Sequence, residues 1–525
     1  MKVVLLHHPL KILDEMREFF RISYPLGLMY IASSLRANGH EVRILDALGD
    51  GWKTVEKDGE YVRIGMTREQ IKKELEKENP DFVGITAQYT SQAEAAHESA
   101  AIAKEVNKDI KVIFGGPHAS ATAPTTLQDP NVDFAFAGEG ELTAVELLKD
   151  LKNPQNVKGI WYKTETGEVK NTGAANVIQD LDQLPFPAYD LVNVQNYFDA
   201  GKEGMSARRF AKGEGNWATM FTTRGCPYTC NFCSIYNTMG RRWRKRSTKN
   251  SVDEIEYLYN KYGIRTIFFE DDNFTLDMNH TVEILDEIKK RKLELQWQTP
   301  NGVRADRLDR ELVAKMKDTG CTRLRVAVEH GDQKFLNEVI HKKMDLSVLE
   351  GSVKVVREFG IDMDGFFILG IAGETDQTMR TSVDFMKKLA SLGLNPIIGY
   401  AVPLPGTELF EVCRKNNYFT KEKFTSKDYQ LGYSREPMIQ TPWMTTERLK
   451  EWYFTAFRET IFARMKHDPR VLANLNIVQE LKTNPLKATK LAYSYIKRTL
   501  FSRHLGSKSE DPIEATARSV VNLKD

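Results

Sequence analysis

Short apolar runs alternate with amphipathic segments through the first 150 residues. The apolar runs predict buried strands, and the segments between them carry hydrophobic residues at helical spacing. The predicted strands cover residues 2–6, 41–45, 82–85, 112–114 and 134–136, and the predicted helices cover 26–35, 67–78 and 93–106. A β-hairpin with Asp58-Gly59 at its turn is predicted within 52–65. Strands that alternate with helices predict an α/β fold, a doubly wound parallel sheet of the Rossmann or flavodoxin type.

The loops that follow these strands are rich in glycine, serine, threonine and histidine. They cover residues 7–9, 86–91, 115–120 and 138–141. Ligands of such sheets lie beyond the carboxyl ends of the strands. Small residues let a large flat ligand approach the backbone, and helix N-termini suit a phosphate or amide-rich tail. The pattern alone fits a flavin, a nucleotide or a corrinoid, and it also fits a domain without a ligand.

A second series of strand and helix patterns runs to about residue 420. Its strands cover 266–275, 295–306, 323–332, 363–375 and 395–408, each separated from the next by a helical segment. Such βα units predict a full or partial barrel of the (βα)6 type, with its site at the C-terminal ends of the strands. Polar residues stand there: Asp271, Asp272, Asn273, Arg304, Glu329 and Glu374.

The last hundred residues, 421–525, predict a helical region. Within 445–466, apolar residues fall near one face, namely Leu449, Trp452, Tyr453, Ala456, Phe457 and Phe462. Residues 482–504 carry lysines and arginines without an acidic residue, beside an apolar stripe. We favour a helix packed on the barrel with a basic outer face over an in-plane membrane helix that serves a lipid substrate.

Composition narrows the class of protein. The 525 residues carry a formal net charge of +2, which predicts no strong attraction to nucleic acid or anionic membranes. No apolar run is long enough to cross a bilayer, and the N-terminus is typical of a first strand rather than a signal peptide. Five cysteines in so long a chain exclude a disulfide framework and favour a reducing, cytoplasmic compartment. Cys321 and Cys413 stand alone and are predicted to be buried thiols.

The other three cysteines, Cys226, Cys230 and Cys233, fall within eight positions. This spacing places three thiolates around one point. A 4Fe–4S cluster is usually held by four cysteines, so three leave one iron open to a small molecule. A structural zinc site normally needs four ligands, and the next histidine is His280, so a zinc finger is the weaker alternative.

The segment TTRGCPYTCNFCS, residues 222–234, resembles the cluster motif of the radical S-adenosylmethionine superfamily. The resemblance implies that the open iron binds S-adenosylmethionine. It also implies that an electron donor such as flavodoxin or ferredoxin drives cleavage to methionine and a 5'-deoxyadenosyl radical. The reactivity belongs to the cofactors, and the protein supplies position and exclusion of water. The following RRWRKR, 241–246, is a solvated basic turn or a contact for an anionic substrate or the donor.

The resemblance also implies contacts with S-adenosylmethionine. Asp271 and Asp272 stand where the family contacts the methionine amino group, and Arg304 could hold the carboxylate as a bidentate pair. Glu329 lies on the usual ribose-contact strand, and Ile368 to Gly370 on the usual adenine-contact strand. The alternative for the charged residues is a surface ion pair.

The N-terminal phrases YPLGLMYIASSLRANGHEVRILDA, FVGITAQYTS, GGPHAS and AGEGE resemble the cobalamin-binding branch of the superfamily. The methylthiotransferase branch fits poorly because this domain contains no cysteine. In place of the motif Asp-x-His-x-x-Gly stands His7-His8-Pro9-Leu10, so backbone or packing contact is favoured over cobalt coordination. The implied cobalamin contacts are His7, His8, Thr86, Ser91, Gly115, Gly116, His118, Gly138 and Glu139.

These patterns divide the chain into four regions. They are a cobalamin-binding domain (1–155), a linker with a small hairpin at 159–169 (156–205), a radical barrel (206–420) and the helical region (421–525). The cofactors implied are a 4Fe–4S cluster, S-adenosylmethionine and cobalamin. The implied function is methyl transfer to an unactivated carbon of a small molecule or lipid. Alternatives are a cyclase or oxidative tailoring enzyme, like the anaerobic Mg-protoporphyrin ester cyclase, and a non-catalytic corrinoid or redox sensor, which has no need of an open iron.

Overall fold

The computed structural model describes residues 1–19, 21–164, 166–204 and 216–467. Its N-terminal half is built on one largely parallel sheet. The strands there are β1 (Lys2–His7), β2 (Leu10–Leu13), β3 (Glu41–Asp46), β4 (Val55–Asp58), β5 (Tyr61–Ile64), β6 (Phe82–Thr86), β7 (Lys111–Gly115), β8 (Phe134–Phe136), β9 (Ile160–Lys163) and β10 (Val169–Asn171). The helices are α1 (Leu26–Ala37), α2 (Ala47–Asp50), α3 (Arg68–Glu78), α4 (Ala93–Val106), α5 (Pro117–Thr126), α6 (Gly140–Lys149) and α7 (Val194–Lys202).

This sheet has the strand order β10-β9-β8-β7-β6-β1-β3. β1 pairs in parallel with β3 on one side and β6 on the other, so it is buried on both faces, as its apolar run predicts. The predicted doubly wound sheet is confirmed. The carboxyl ends of β6, β7 and β8 share one edge, because these strands are parallel neighbours.

Two hairpins each pair with a further strand. β4 and β5 form the predicted hairpin at 52–65, and β5 also pairs with β2, a strand that the sequence pattern does not predict. The hairpin predicted in the linker forms as β9 and β10, but β9 pairs antiparallel with β8. These residues therefore extend the first sheet instead of standing in a linker.

The C-terminal half contains the barrel. Its strands are β11 (Trp217–Met220), β12 (Thr223–Arg224), β13 (Arg244–Lys245), β14 (Thr266–Phe269), β15 (Gln296–Val303), β16 (Cys321–Glu329), β17 (Asp362–Leu369) and β18 (Asn395–Tyr400). The helices are α8 (Thr248–Tyr262), α9 (Met278–Lys290), α10 (Arg310–Asp318), α11 (Gln333–Glu338), α12 (Leu349–Glu358), α13 (Asp376–Ser391), α14 (Glu408–Lys415), α15 (Ser426–Leu431) and α16 (Thr446–His467). Short 3-10 helices cover Asp14–Phe19, Thr90–Gln92, Pro154–Asn156, Leu181–Gln183, Tyr189–Leu191, Ile235–Asn237, Ala305–Arg307 and Leu346–Val348.

The barrel sheet follows chain order, β11-β14-β15-β16-β17-β18, and each neighbouring pair is parallel. This confirms the predicted partial barrel of (βα)6 type, in which β11 and β18 are the edge strands. Several barrel helices begin at side-chain caps, such as Ser247 before α8, and Gly263, with φ of 64°, caps the C-terminal end of α8. Cys321 and Cys413 are buried, as predicted.

The helical region after the barrel is described as far as residue 467. The predicted amphipathic helix forms as α16 and packs against α13, with Leu449, Trp452 and Ala456 buried. Phe457 and Phe462, predicted near the same face, are 39% and 37% exposed. The basic segment 482–504 lies outside the described residues.

The shorter helix α15 returns to the N-terminal domain. The Gln430 side chain accepts a hydrogen bond from the Leu13 amide at 2.9 Å and donates to the carbonyls of Lys11 at 2.9 Å and Ser91 at 3.2 Å. Arg435 forms an ion pair with Glu15 at 2.9 Å. The segment between α14 and α16 is thereby bound to the first domain.

Candidate functional site

A cavity of about 320 Å³ lies between the first sheet and the barrel. The N-terminal domain contributes the strand-end loops, and the barrel contributes the ends of β11, β14 and β15. Among the predicted cobalamin contacts, those that line it are Thr86, Gly115, Gly116, Gly138 and Glu139. Among the predicted S-adenosylmethionine contacts, Asp272 lines the same cavity.

Glycines give the N-terminal side of this cavity its shape. A Cβ added to Gly115, at the end of β7, would meet no atom closer than the Phe136 ring at 3.8 Å, so the space above this backbone is open. Gly116 has φ of 102°, and a Cβ there would lie 3.1 Å from the Ala87 carbonyl oxygen. The backbone turn from β7 into α5 therefore requires glycine at this position.

His7 and His8, two of the predicted cobalamin contacts, are not among the described residues that line the cavity. His7 Nδ1 lies 2.8 Å from Asp46 Oδ1. His8 Nδ1 donates to the Pro9 carbonyl at 2.7 Å, and burial lowers the pKa of His8 to about 4. The structure thus places His7 and His8 in packing roles, away from a ligand in this cavity.

Two further predicted contacts also lie outside the described lining. His118 is hydrogen-bonded at both ring nitrogens, to Thr90 Oγ1 at 3.1 Å and Thr122 Oγ1 at 3.2 Å, and burial lowers its pKa to about 4. Ser91 touches α15 through its carbonyl. The lining instead includes Gln88 and Tyr89 from the same loop, which sequence reasoning missed.

The three clustered cysteines lie on a loop that β12 and β13 close at its base. Cys226, Cys230 and Cys233 are half-buried, and Cys233 donates its amide to the Cys230 carbonyl at 3.2 Å. Burial raises the pKa of all three thiols, that of Cys233 to about 12. The chain turns at Gly225, where φ is 82° and a Cβ would lie 2.4 Å from the Arg242 carbonyl oxygen.

Within the described ranges, no three His, Cys, Asp or Glu side chains are grouped as a single metal ion requires. Each cysteine of a 4Fe–4S site binds a different iron, so the three thiols of such a site need not meet at one metal ion.

The adjacent carboxylates Asp271 and Asp272 have different roles. Asp271 is buried and accepts hydrogen bonds from Thr222 Oγ1 and Thr223 Oγ1, each at 2.6 Å, and it is not in the described lining of the cavity. Asp272 accepts from the Gly225 amide at 2.9 Å and does line the cavity. Burial raises the pKa of Asp272 to about 7. Glu270, which sequence reasoning missed, also lines the cavity.

Arg304 stacks against the cluster loop. Its guanidinium pairs with Asp306 at 2.7 Å and 2.9 Å, donates to the carbonyls of Lys342 and Lys343, and lies 4.3 Å from the centre of the Tyr228 ring. These contacts occupy the donors that the predicted bidentate pair with a carboxylate would use.

A second buried cation lies at the end of β16. Lys342 Nζ lies 3.0 Å from Glu329 Oε1, and both side chains are buried. Glu329 has φ of 68°, a strained conformation for a residue with a side chain. Nothing in the sequence pattern indicates Lys342, because it lies in a loop without a motif.

The predicted adenine strand ends in a buried network. Gly370 has φ of 85° and donates its amide to Glu374 at 2.5 Å. Glu374 also contacts His330 Nε2 at 2.8 Å, and both side chains are fully buried. Ile368 is half-buried near the end of β17. The network holds the turn after β17 in place.

Comparison with known proteins identifies the family of this chain. The B12 binding domain model matches residues 16–148, and the Radical SAM superfamily model matches residues 220–386. Cytidylyl-2-hydroxyethylphosphonate methyltransferase of Streptomyces wedmorensis is 31% identical over 455 residues, which cover 80% of this chain and 83% of that protein. The chain belongs to the cobalamin-binding radical S-adenosylmethionine enzymes. This confirms the predicted family, enzyme class and cofactor set.

Further relatives of the enzyme differ in their chemistry. Anaerobic magnesium-protoporphyrin IX monomethyl ester cyclase of Rubrivivax gelatinosus is 27% identical, with 76% of this chain and 68% of that protein covered. Among solved structures, OxsB with aqua-cobalamin and S-adenosylmethionine has a TM-score of 0.65 at 18% identity, covering 99% of this chain and 75% of that one. TsrM from Kitasatospora setae has a TM-score of 0.62 at 18% identity, with 82% and 83% covered. These structures share the fold of the enzyme.

Two observations on the cavity fit the cofactors. Thr219 Oγ1 and Thr238 Oγ1 are buried on lining residues and have no hydrogen-bond partner in the part of the chain that the structure describes. The backbone at Gly115 is open toward the cavity, which suits a flat ring, and two such hydroxyls suit the amide edge of a corrin.

Among the described helices, none combines the length and apolarity needed to span a bilayer.

Proposed function

We propose that the enzyme is a cobalamin-dependent radical S-adenosylmethionine methyltransferase that acts on a carbon atom of a small molecule. The observation that carries this proposal is the shared cavity, since methyl transfer requires the corrin and the substrate radical to meet in one space. The glycine loops at Gly115 and Gly138 face the polar strand ends at Glu270 and Asp272 across it. Relatives with methyltransferase names in Streptomyces wedmorensis and Pyrococcus horikoshii support it.

The residues of this chain take distinct roles in the proposal. Cys226, Cys230 and Cys233 hold the cluster, and Asp272 accepts a hydrogen bond from the methionine amino group of S-adenosylmethionine. Lys342 places positive charge beside the cluster loop, where the methionine carboxylate would lie, and Arg304 supports that loop through the Tyr228 ring. Thr86, Gly115, Gly116, Gly138 and Glu139 form the cobalamin side. When bound, the cluster and S-adenosylmethionine supply a carbon radical, and cobalamin supplies a methyl carrier.

Products test this function. Enzyme purified without oxygen from cells supplied with cobalamin is first assayed for iron and corrinoid. It is then incubated with a reductant, S-adenosylmethionine carrying a labelled methyl group, and a panel of small-molecule acceptors. Methyl transfer releases S-adenosylhomocysteine and 5'-deoxyadenosine in comparable amounts and places the label in the acceptor. A labelled acceptor with Cys226→Ala protein would contradict the proposed cluster site.

A second candidate function is radical cyclisation or oxidation without methyl transfer. The similarity to the Rubrivivax gelatinosus cyclase favours it. In that case 5'-deoxyadenosine accumulates, and S-adenosylhomocysteine does not. A non-catalytic sensor has no support, because the methyltransferase and cyclase relatives are enzymes by name.

An electron donor is part of the same proposal. In the basic run 241–246, Arg244 and Arg246 are buried in ion pairs, whereas Arg241 and Arg242 are exposed. These two exposed arginines lie on the cluster loop and carry the charge suited to an acidic flavodoxin or ferredoxin. The cytoplasmic location, a lipid substrate and membrane contact through 482–504 stay predictions.

A further inference from the structure

Four buried charges join the cobalamin domain to the base of the cluster loop. Arg224 Nη1 donates to Glu139 Oε1 at 2.9 Å, and Arg224 Nη2 donates to Glu141 Oε1 at 2.7 Å. Arg244 Nη1 donates to Glu139 Oε2 at 2.6 Å. All four side chains are 6% exposed or less. We call them the interdomain charge network.

The network lies where the two domains must meet. Glu139 and Glu141 flank the start of α6, in the loop that lines the cavity beside Gly138. Arg224 and Arg244 are directly opposite each other in the β12–β13 pair. Arg224 is followed at once by Gly225 and the first cluster cysteine. A shift of either arginine would therefore move the cluster loop relative to the cobalamin loops.

Stability alone does not account for these charges. Buried ion pairs are often no more stabilising than apolar side chains of the same shape, because desolvation offsets the attraction. Their hydrogen bonds, in contrast, have narrow geometric limits. Glu139 meets both arginines with its two oxygens, and Arg224 meets two carboxylates while it lies over the Tyr30 ring at 4.8 Å. Such a network satisfies its partners in one relative placement of the domains.

We propose that Arg224, Arg244, Glu139 and Glu141 are positioning residues that fix the distance between the cluster and the corrin. The inference rests on the proposed function in that both cofactors must bind. Without the network, the cluster loop would lose its charged hydrogen bonds to the cobalamin domain, while buried apolar contacts such as Tyr24 against Trp217 would still join the two domains. Loss of the network would leave each cofactor bound but widen the range of distances between them.

Pulsed electron paramagnetic resonance tests this, with the holoenzyme reduced so that the cluster and cob(II)alamin each carry an unpaired spin. The variant Arg224→Met/Glu141→Gln removes one charge of each sign and leaves Arg244 paired with Glu139. We expect the variant to keep the iron and corrinoid contents of the wild type but to give a wider distance distribution, because the cluster loop loses two of its three charged hydrogen bonds to the cobalamin domain.

The matched control is Arg246→Met/Glu254→Gln. That pair is equally buried, with an Arg246–Glu254 distance of 2.5 Å, but both residues lie in the barrel. Its distance distribution should equal that of the wild type, although its unfolding midpoint falls. Equal widths in wild type, test variant and control overturn the inference, and so does equal broadening in both variants.

A third variant guards against loss of a cofactor in the test protein. Arg224→Lys keeps the charge, but an ammonium does not form two parallel hydrogen bonds to separate carboxylates as a guanidinium does. It should broaden the distribution less than the double variant, and an unchanged width overturns the inference. A wild-type enzyme that binds the cluster but no corrinoid gives no distance at all, which overturns the proposed function and the inference together.

Discussion

The two sides of the shared cavity present different chemical groups, and in the proposed function they recognise their ligands by different means. The cobalamin side is formed largely by backbone at Gly115, Gly116 and Gly138, and the histidines of its loops are hydrogen-bonded within the domain. The barrel side presents carboxylates at Glu270 and Asp272 beside a thiol loop. One side therefore depends on shape and the other on charge and metal ligation. Added volume should harm the first, and removed charge or sulfur should harm the second.

The largest effect is expected from the thiol loop. Cys226→Ala removes one of the three proposed cluster ligands, so bound iron and reductive cleavage of S-adenosylmethionine should fall to background. Iron content and 5'-deoxyadenosine are the measurements. Cys413→Ala, at a buried thiol in α14, should retain both. Cleavage that survives in the Cys226→Ala protein would contradict the site.

Volume tests the cobalamin side. Gly115→Val places two methyl groups in the open space above β7, where the corrin is proposed to bind. The added groups would overpack the bound corrin, and overpacking costs about 1–3 kcal/mol. Corrinoid affinity should therefore fall by about tenfold or more, while iron content stays unchanged. Corrinoid bound after gel filtration is the measurement. Gly351→Val on α12, where no atom lies within 4 Å, is the control and should bind corrinoid normally.

Charge tests the barrel side, and the adjacent aspartates provide a matched pair. Asp272→Asn should weaken binding of S-adenosylmethionine by about tenfold or more, since a hydrogen bond between charged groups contributes about 1.5–3 kcal/mol. Asp271→Asn should lower the free energy of unfolding by about 1–3 kcal/mol, because Thr222 and Thr223 lose their charged acceptor. Equilibrium binding and urea unfolding separate the two. The reverse pattern of effects would refute the separate roles of the two aspartates.

A further effect depends on pH and concerns the buried histidine His8 of the cobalamin domain. The pKa of His8 is about 4 in the folded protein, against an ordinary histidine value of 6.5. The unfolded chain therefore binds the His8 proton more tightly than the folded protein does. The contribution of neutral His8 to the free energy of unfolding is complete above pH 6.5 and is lost as the pH falls toward 4. The contribution is up to about 3 kcal/mol. His8→Asn, which keeps the donor to Pro9, should reduce the loss of stability between about pH 7 and pH 4.5.

Urea unfolding midpoints at several pH values measure this contribution. His341→Asn, at a partly exposed histidine, should keep the wild-type pH dependence. An identical slope in the His8→Asn protein and the wild type would show that His8 does not contribute.

Sequence patterns predict features that depend on neighbours along the chain. The strands and helices of both domains follow from hydrophobic periodicity, and the thiol loop follows from the spacing of three cysteines. The direction in which a side chain points, in contrast, is not predicted by such patterns. Asp271 and Asp272 are adjacent, but only Asp272 is in the described lining of the cavity, and a sequence pattern offers no means of choosing between them.

Long-range pairing explains the remaining differences. His7 is held by Asp46, 39 positions away, and Glu139 by Arg224, 85 positions away. β9 joins the first sheet because its partner β8 has an open edge, which is a property of the sheet and not of the hairpin. Tertiary partners of this kind leave no periodic signal in a single sequence.

The return of α15 to the first domain has a consequence for synthesis. Leu13 and Gln430 are 417 residues apart and are hydrogen-bonded to each other. During translation the cobalamin domain emerges and folds long before its last contact exists, since domains fold in order from the N-terminus. A nascent chain therefore has a period in which the corrin side is complete but the fastening helix is still absent. Corrinoid supply during that period would decide whether the cofactor is enclosed as the enzyme is made.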